Sequence, residues 1–435
     1  MNRLKSKILP IWAVAAVVLR RLWRTGIGPA ASILTVAGIL LLRQAIQGDG
    51  TLTGMVRIWL SYSIALVSFL ISATTLLIGA SAISLENAAG RLQLVRVKPI
   101  TPLQIWLGNW LGLILLNAAL LSVAGITLSI CMWRFTCDTN RPQAELTELH
   151  NTLLTTHLSL PATALGNQAK DAAGVTVPLG GVSRWHITIP ENIRDGHPGG
   201  LQFKFITARP DQTAAVSMEW SIGLQGTTRQ QKLTASAPPR KPYRLELPAD
   251  LLQPGQTLEI TCANQNPETD TALLFPSEQG LILLAPVGGI AGNFLRAGLI
   301  MFARLAFLSA LGLTAGAAFS FPVATLLSGA MPLLEALNQF RYSSAQHWLR
   351  IAFHSNADTW YSRILDMAVT AAGEIVRLLM PTFDRLDYVA LLAGGRMIPW
   401  DAVGYAAAVL CFYIVLLATV GYWAQTRCQS WMSKT

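Results

Sequence analysis

The stretch from Ser84 to Trp110 gathers charged, apolar and helix-ending residues in an order that suits mechanical work. Leu85, Ala88, Ala89, Leu92 and Val95 recur at helical spacing and share one face, with Glu86, Asn87, Gly90, Arg91 and Gln93 on the other. Pro99 lacks an amide hydrogen and ends that helix. Thr101-Pro102-Leu103-Gln104 then has the form of a capping box with proline at the first helical position, a start signal for the next helix. The spacing predicts a short amphipathic helix over 84–99, held between two long helices. A partner gripping it through Leu85, Leu92 and Val95, with Glu86 and Arg91 in charged contacts, would tilt both neighbours together. The plainer alternative is an interfacial loop whose charges meet lipid headgroups.

Catalytic patterns are missing from the sequence. It has no Gly-x-x-x-x-Gly-Lys-Ser/Thr loop to cradle phosphates, no Gly-x-Ser-x-Gly and no His-Glu-x-x-His. A membrane enzyme would also need a nucleophile or paired carboxylates within the apolar segments, and none is present. His347 and His354 flank an amphipathic stretch without neighbouring ligands and read as surface residues, so no metal is expected. The five cysteines form no zinc spacing. Cys411 and Cys428 lie in or beside the last apolar segment. Cys137 and Cys262 bracket the polar middle of the chain; they pair if that middle faces an oxidising compartment, and otherwise stay two separate thiols.

The elements that would position these residues follow from composition. Of 435 residues, 52% are hydrophobic and 13% charged, against about 25% charged in soluble domains. Lipid must face much of such a surface. The net charge of +10 is spread without aromatic interleaving, so nucleic acid is not an expected partner. Residues 1–25 read as a basic amphipathic helix along the cytoplasmic face. Spans follow at about 27–46, 58–83 and 103–133. A hairpin of two spans is expected between 297 and 337, broken at Ser320-Phe321-Pro322 because proline disfavours helix at the residue before it. Arg304 lies within the fourth span and either snorkels, faces the bundle interior or lines a pathway. Residues 341–400 are mixed, with an amphipathic stretch over 361–380, and a sixth span covers about 403–424.

Between 135 and 280 the period changes from helical to two. Segments 185–189, 201–205, 216–220, 243–247 and 258–261 alternate apolar with polar, separated by Pro and Gly turns. They predict a small antiparallel β-sandwich, with 142–175 less regular. The expected fold is thus an α-helical polytopic membrane protein of about six spans. An all-β, sandwich-like extracytoplasmic domain would lie between spans three and four, and 281–435 would return to the membrane. Arg3, Lys5, Lys7, Arg20, Arg21 and Arg24 precede span one without an acid, and Arg91, Arg96 and Lys98 crowd the second-to-third loop. The positive-inside rule therefore puts both termini and that loop in the cytoplasm and the β-domain outside.

The segment also resembles the coupling-helix region of ABC-2-type transporter permeases. In that family an acid ending the second span is followed by a Gly, an apolar stretch, a Pro and a Gly early in the third span. Glu86, Gly90, Leu92-Gln93-Leu94-Val95, Lys98-Pro99-Ile100 and Gly108 fill those positions, while Asn109 stands where many relatives carry Lys. Ser320-Phe321-Pro322-Val323-Ala324 resembles the family's fourth-to-fifth span junction. Met380-Pro381-Thr382-Phe383-Asp384-Arg385-Leu386 and Gly394-Gly395-Arg396-Met397-Ile398-Pro399-Trp400 resemble the segment before its last span. The resemblance implies the membrane subunit of an ATP-driven exporter in a bacterial plasma (inner) membrane. It implies no cofactor on this chain, with ATP and magnesium on a separate ATPase subunit, and a second permease copy as partner. Leu85, Glu86, Gly90, Arg91, Leu92, Val95, Lys98 and Pro99 would then couple to the ATPase. The β-domain is an insertion outside the family pattern; alternatively the spans only anchor it as a binding or scaffolding module.

Overall fold

The computed structural model describes residues 2–46, 51–88, 101–137, 141–164, 170–171, 174–191, 193, 196–207, 215–225, 230–265, 272–276, 280–340 and 388–432. The amphipathic stretch at 361–380 and the Met380–Leu386 motif lie outside them.

Helices flank a β-rich middle. The first four are α1 (Asn2–Arg24), α2 (Ile27–Ala45), α3 (Leu52–Ala88) and α4 (Pro102–Thr136). The α4 start is set locally: the Thr101 side chain accepts from the Gln104 amide and the Gln104 side chain accepts from the Thr101 amide, so two donors that the helix leaves open are satisfied at once. After the β-rich middle come α6 (Ile290–Ala318) and α7 (Phe321–Phe340), with the helix interrupted at Phe319-Ser320, just before Pro322. A short α8 (Tyr388–Ala393) leads to α9 (Trp400–Met432). Among the described residues five helical stretches are long and apolar enough to cross a membrane: Ile27–Ala45, Leu52–Glu86, Pro102–Thr136, Ile290–Ala318 and Trp400–Thr426. The second arm of the expected hairpin is α7, whose described apolar stretch is the shorter Phe321–Ala330.

The helix α6 is central. Within its apolar stretch 67% of residues are buried, against 17% for α2 and for α9. Small residues bring it against α3: a Cβ on Gly79 would lie 3.2 Å from the Gly312 Cα, and one on Gly316 would lie 2.4 Å from the Ala80 carbonyl oxygen. Gly312 and Gly316 are one turn apart, the spacing that lets two apolar helices touch along their backbones. Outer faces of α2 and α9 stay bare, with Ile33, Leu34, Leu41, Phe412, Val415 and Trp423 exposed.

The β-rich middle opens with α5 (Gln143–Leu149) and a π-helical turn. Its strands are β1 (Thr155–Pro161), β2 (Thr163–Ala164), β3 (Lys170–Asp171), β4 (Gly174–Val177), β5 (Val182–Thr188), β6 (Gly199–Phe203) and β7 (Ile206–Thr207). They continue as β8 (Val216–Leu224), β9 (Gln230–Ala237), β10 (Tyr243–Leu247), β11 (Thr257–Asn264), β12 (Leu273–Pro276) and β13 (Leu281–Gly289). The antiparallel sheets run β1-β13-β6-β10, β2-β5-β11-β8-β9 and β3-β4-β12-β7. All three contribute to one aromatic core, in which Phe203 meets Trp220 at 4.7 Å and Trp185 meets Phe275 at 5.4 Å between ring centroids. Every alternating segment read from the sequence lies in or overlaps a strand.

The boundary at 281 moves. Leu281–Gly289, expected to belong with the membrane part, is the strand β13, paired with β1 on one side and β6 on the other. Its residues from Leu281 to Pro286 are buried, so both faces are apolar and the strand reads as an unbroken hydrophobic run. It passes straight into α6 at Gly289, which joins the β-domain to the central helix without a linker.

Candidate functional site

Two places carry the polar chemistry, one at each end of the helices. At the end away from the β-domain, Leu85 and Glu86 lie in the last turns of α3, Leu85 exposed and Glu86 half-buried. They continue α3 without a break to Ala88, so the expected separate helix does not begin at 84. Gly90, Arg91, Leu92, Val95, Lys98 and Pro99 lie outside the described residues. Glu86 already has a partner inside the chain: Arg21 Nη1 donates to its Oε1 at 2.6 Å. The helix α1, expected on the membrane surface, is docked along α4. A Cβ on Gly108 would fall 2.6 Å from the Val14 Cβ, and one on Gly112 would fall 3.0 Å from the Val18 Cβ. Asn109 is buried and its Nδ2 donates to the Ile105 carbonyl of its own helix at 2.8 Å.

Midway along the helices the Thr75 hydroxyl donates to Asn117 Oδ1 at 2.7 Å, and Asn117 Nδ2 donates to the Ser309 hydroxyl at 3.1 Å. This buried chain ties α3, α4 and α6 together. Arg304 lies half-buried on α6.

Of the two alternatives left open for Cys137 and Cys262, the structure has separate thiols. Cys262 is buried in the β-domain core, with Ser183 and Trp220 as its register neighbours on the flanking strands, while Cys137 caps α4 and is exposed. Burial raises the Cys262 thiol far above its ordinary value, which leaves it an inert core residue.

The second place is the root of the β-domain, and sequence reasoning missed it. The loop between α8 and α9 runs alongside β1. The His157 amide donates to the Gly395 carbonyl at 2.8 Å and the Met397 amide donates to the His157 carbonyl at 2.7 Å. Gly395 has a φ of +66°, and a Cβ there would lie 2.4 Å from the Thr152 carbonyl oxygen, so glycine is required twice over. Asn293 near the start of α6 holds the same loop, donating to the Arg396 carbonyl at 2.6 Å and accepting from the Ile398 amide at 2.8 Å. Arg296 donates to the Ile398 carbonyl at 3.1 Å and lies over the Trp400 ring at 5.0 Å.

Side chains converge there too. Arg396 Nη2 donates to Gln202 Oε1 at 2.7 Å on β6. Arg244 sits directly opposite Gln202 on β10 and reaches His157 Nε2 at 3.4 Å. Gly200 makes room for it, since a Cβ there would lie 2.6 Å from Arg244 Nε. His157 is fully buried, and burial followed by the Arg244 charge lowers its imidazole from 6.5 to about 4. Burial also lowers the Arg244 guanidinium; Glu246 opposes this, Arg57 and Arg396 add to it, and Glu148 opposes it. Burial and then Arg57 lower Arg396 in the same way. Sequence held two signals for this site: alternation in Tyr243-Arg244-Leu245-Glu246-Leu247 puts Arg244 and Glu246 on the face away from the β-domain core, and the Gly394–Trp400 motif contains Gly395 and Arg396.

No family model matches the chain, and no curated protein does. Among solved structures it is similar to TmCBM61 in complex with beta-1,4-galactotriose, at 9% identity and a TM-score of 0.14 over 30% of this chain and 86% of that one. It is also similar to a Paenibacillus sp. cycloisomaltooligosaccharide glucanotransferase complexed with cycloisomaltoheptaose, at 11% identity and a TM-score of 0.15 over 36% of this chain and 26% of that one. Scores this low carry no argument about fold or ligand.

Proposed function

We propose that this chain is the membrane-spanning permease subunit of an ATP-driven transporter of the ABC-2 type, working as an exporter in a bacterial inner membrane. A separate ATPase subunit would supply the work, and a second permease copy would complete the pathway. One observation carries the reading most: α3 and α4 close on segment 89–100 as two long continuous helices, and α1 is fixed to the same end. Movement imposed on that segment would pass directly into both helices. The basic residues of α1 and of 91–98 favour the cytoplasm for this end and the outside for the β-domain. Bare apolar faces on α2 and α9 suit lipid or the second copy.

In this mechanism Leu85 and the apolar residues of 89–100 would seat in a cleft of the ATPase. Glu86 would act first as the anchor for Arg21, and Arg91 as the charge that meets the partner. Closure of the ATPase pair would tilt α3, and the close backbone contact at Gly79, Gly312 and Gly316 would carry the tilt to α6. Because β13 enters α6 without a linker, the β-domain would move with the bundle.

Charge reversal at Arg91, with Glu86→Lys beside it, tests the assignment by transport in vesicles and by co-purification of the ATPase. Loss of both transport and association is expected for Arg91→Glu. Unchanged transport and association in both variants would sink the coupling role. The alternative, a membrane-anchored binding module, draws on the self-contained β-domain core; full function from residues 141–289 without the helices would establish it.

A further inference from the structure

The end of the helices that carries the β-domain is rich in arginine, although the positive-inside rule does not require it there. Arg57 lies near the start of α3, Arg244 on β10, Arg296 near the start of α6 and Arg396 in the loop before α9. Among the described residues none of these four forms a salt bridge; the pairs present there are Arg21–Glu86, Arg141–Glu145 and Lys232–Glu219. Among the described residues, the acids that act on Arg244 are Glu246 and Glu148, both exposed. Buried Nε atoms of Arg244 and Arg296 find no hydrogen-bond partner among the described residues. An orphaned guanidinium donor costs stability unless something accepts from it.

We propose that Arg57, Arg244 and Arg396 form a binding site for a phosphate ester at the root of the β-domain, with Gln202 and His157 as its positioning residues. Three features favour phosphate over a carboxylate. A carboxylate occupies one guanidinium fork, whereas these guanidinium groups belong to three separate elements and need an acceptor with oxygens on several sides. Gln202 holds Arg396 from one side by its Oε1, and uncharged His157 sets Arg244 from the other, so neither competes with an anion. Finally, Trp400, four positions after Arg396 at the start of α9, and Trp133, near the end of α4, are both exposed, as Trp residues that meet lipid headgroups are. The phosphate belongs either to a lipid headgroup or to a soluble ester; the chemistry of recognition is the same. Only the lipid source rests on the membrane placement, and neither source depends on the transporter assignment.

The test uses the purified full chain in maltoside detergent and follows its thermal transition by tryptophan fluorescence. Three probes are titrated at matched ionic strength: dioctanoyl phosphatidylglycerol, sodium phosphate and the phosphate-free dioctanoylglycerol. The expected result is saturable stabilisation by phosphatidylglycerol, none by dioctanoylglycerol, and binding weakened about tenfold in Arg57→Gln and in Arg396→Gln, the scale of one charged hydrogen bond. Arg57 is exposed, so its variant keeps the fold even if the loop variant does not. Saturation by sodium phosphate with the same loss in the variants supports the site and makes its ligand soluble. Equal binding in wild type and both variants, or equal stabilisation by dioctanoylglycerol, overturns the proposal. The assay contains no ATPase, so loss of the transporter assignment would leave its outcome unchanged.

Discussion

Arg21 and Glu86 meet at 2.6 Å with side chains 45% and 31% exposed. An ion pair so open to water contributes about 0–1 kcal/mol. Its value is therefore in position: it fixes α1 to the final turns of α3. Arg21→Glu should change thermal stability by less than about 1 kcal/mol yet impair transport, and the exchange Arg21→Glu with Glu86→Arg should restore it. Rescue measured in vesicles checks this; a double exchange no better than the single variant would assign Glu86 to an outside partner instead. His157 makes a different prediction. Its imidazole titrates near 4 in the folded chain against 6.5 when free. Between those values the unfolded chain takes up a proton that the folded chain refuses, so stability falls as pH drops from 6.5 towards 4 and is fully present above 6.5. The loss is on the order of 3 kcal/mol at most. Thermal midpoints recorded across that window should slope, and His157→Gln should flatten the slope.

At the scale of elements, the α3–α6 contact is the most demanding. A side chain at Gly316 has no room before the Ala80 carbonyl, so Gly316→Leu must push the two helices apart. A destabilisation of at least about 2 kcal/mol is expected, above ordinary overpacking because backbone is displaced. Reversible unfolding in mixed micelles measures it, and Gly298→Leu, with open space around its Cβ position, serves as the tolerated control. Which elements were legible follows from the range of the interactions that set them. The α4 start is written in four consecutive residues, Thr101 to Gln104, and folds as those residues require. Strands β5, β8, β10 and β11 alternate because one face is buried and the other wet. The strand β13 is buried on both faces, so its pattern cannot be told from a span. Nothing local announced that the 243–247 alternation and the Gly394–Trp400 motif meet at the root of the β-domain. His157 and Gly395 are bound across a separation of 238 positions, and β1 begins with three buried residues in a row that break any alternation. Cys262 was undecided for the same reason: bracketing in sequence said nothing about its seat between Ser183 and Trp220.

At the scale of the whole molecule, the chain joins two polar ends through one helix core. α3 spans the distance, carrying Arg57 near its start at the β-domain root and Glu86 near its end beside the proposed coupling segment. α6 begins at the β-domain and packs against α3 along its length. A displacement at one end thus has a rigid route to the other, through Gly79, Gly312 and the Thr75–Asn117–Ser309 chain. In the proposed mechanism work enters at 89–100 from a partner that binds ATP. A photoreactive residue placed at Arg91, with a control at Tyr243 on the β-domain, tests it most directly in native membranes. Position 91 should crosslink to a chain bearing a Gly-x-x-x-x-Gly-Lys-Ser/Thr loop, with a yield that changes when ATP is added, and position 243 should not. Crosslinking of position 91 to lipid alone, or of both positions equally to the same protein, would contradict it.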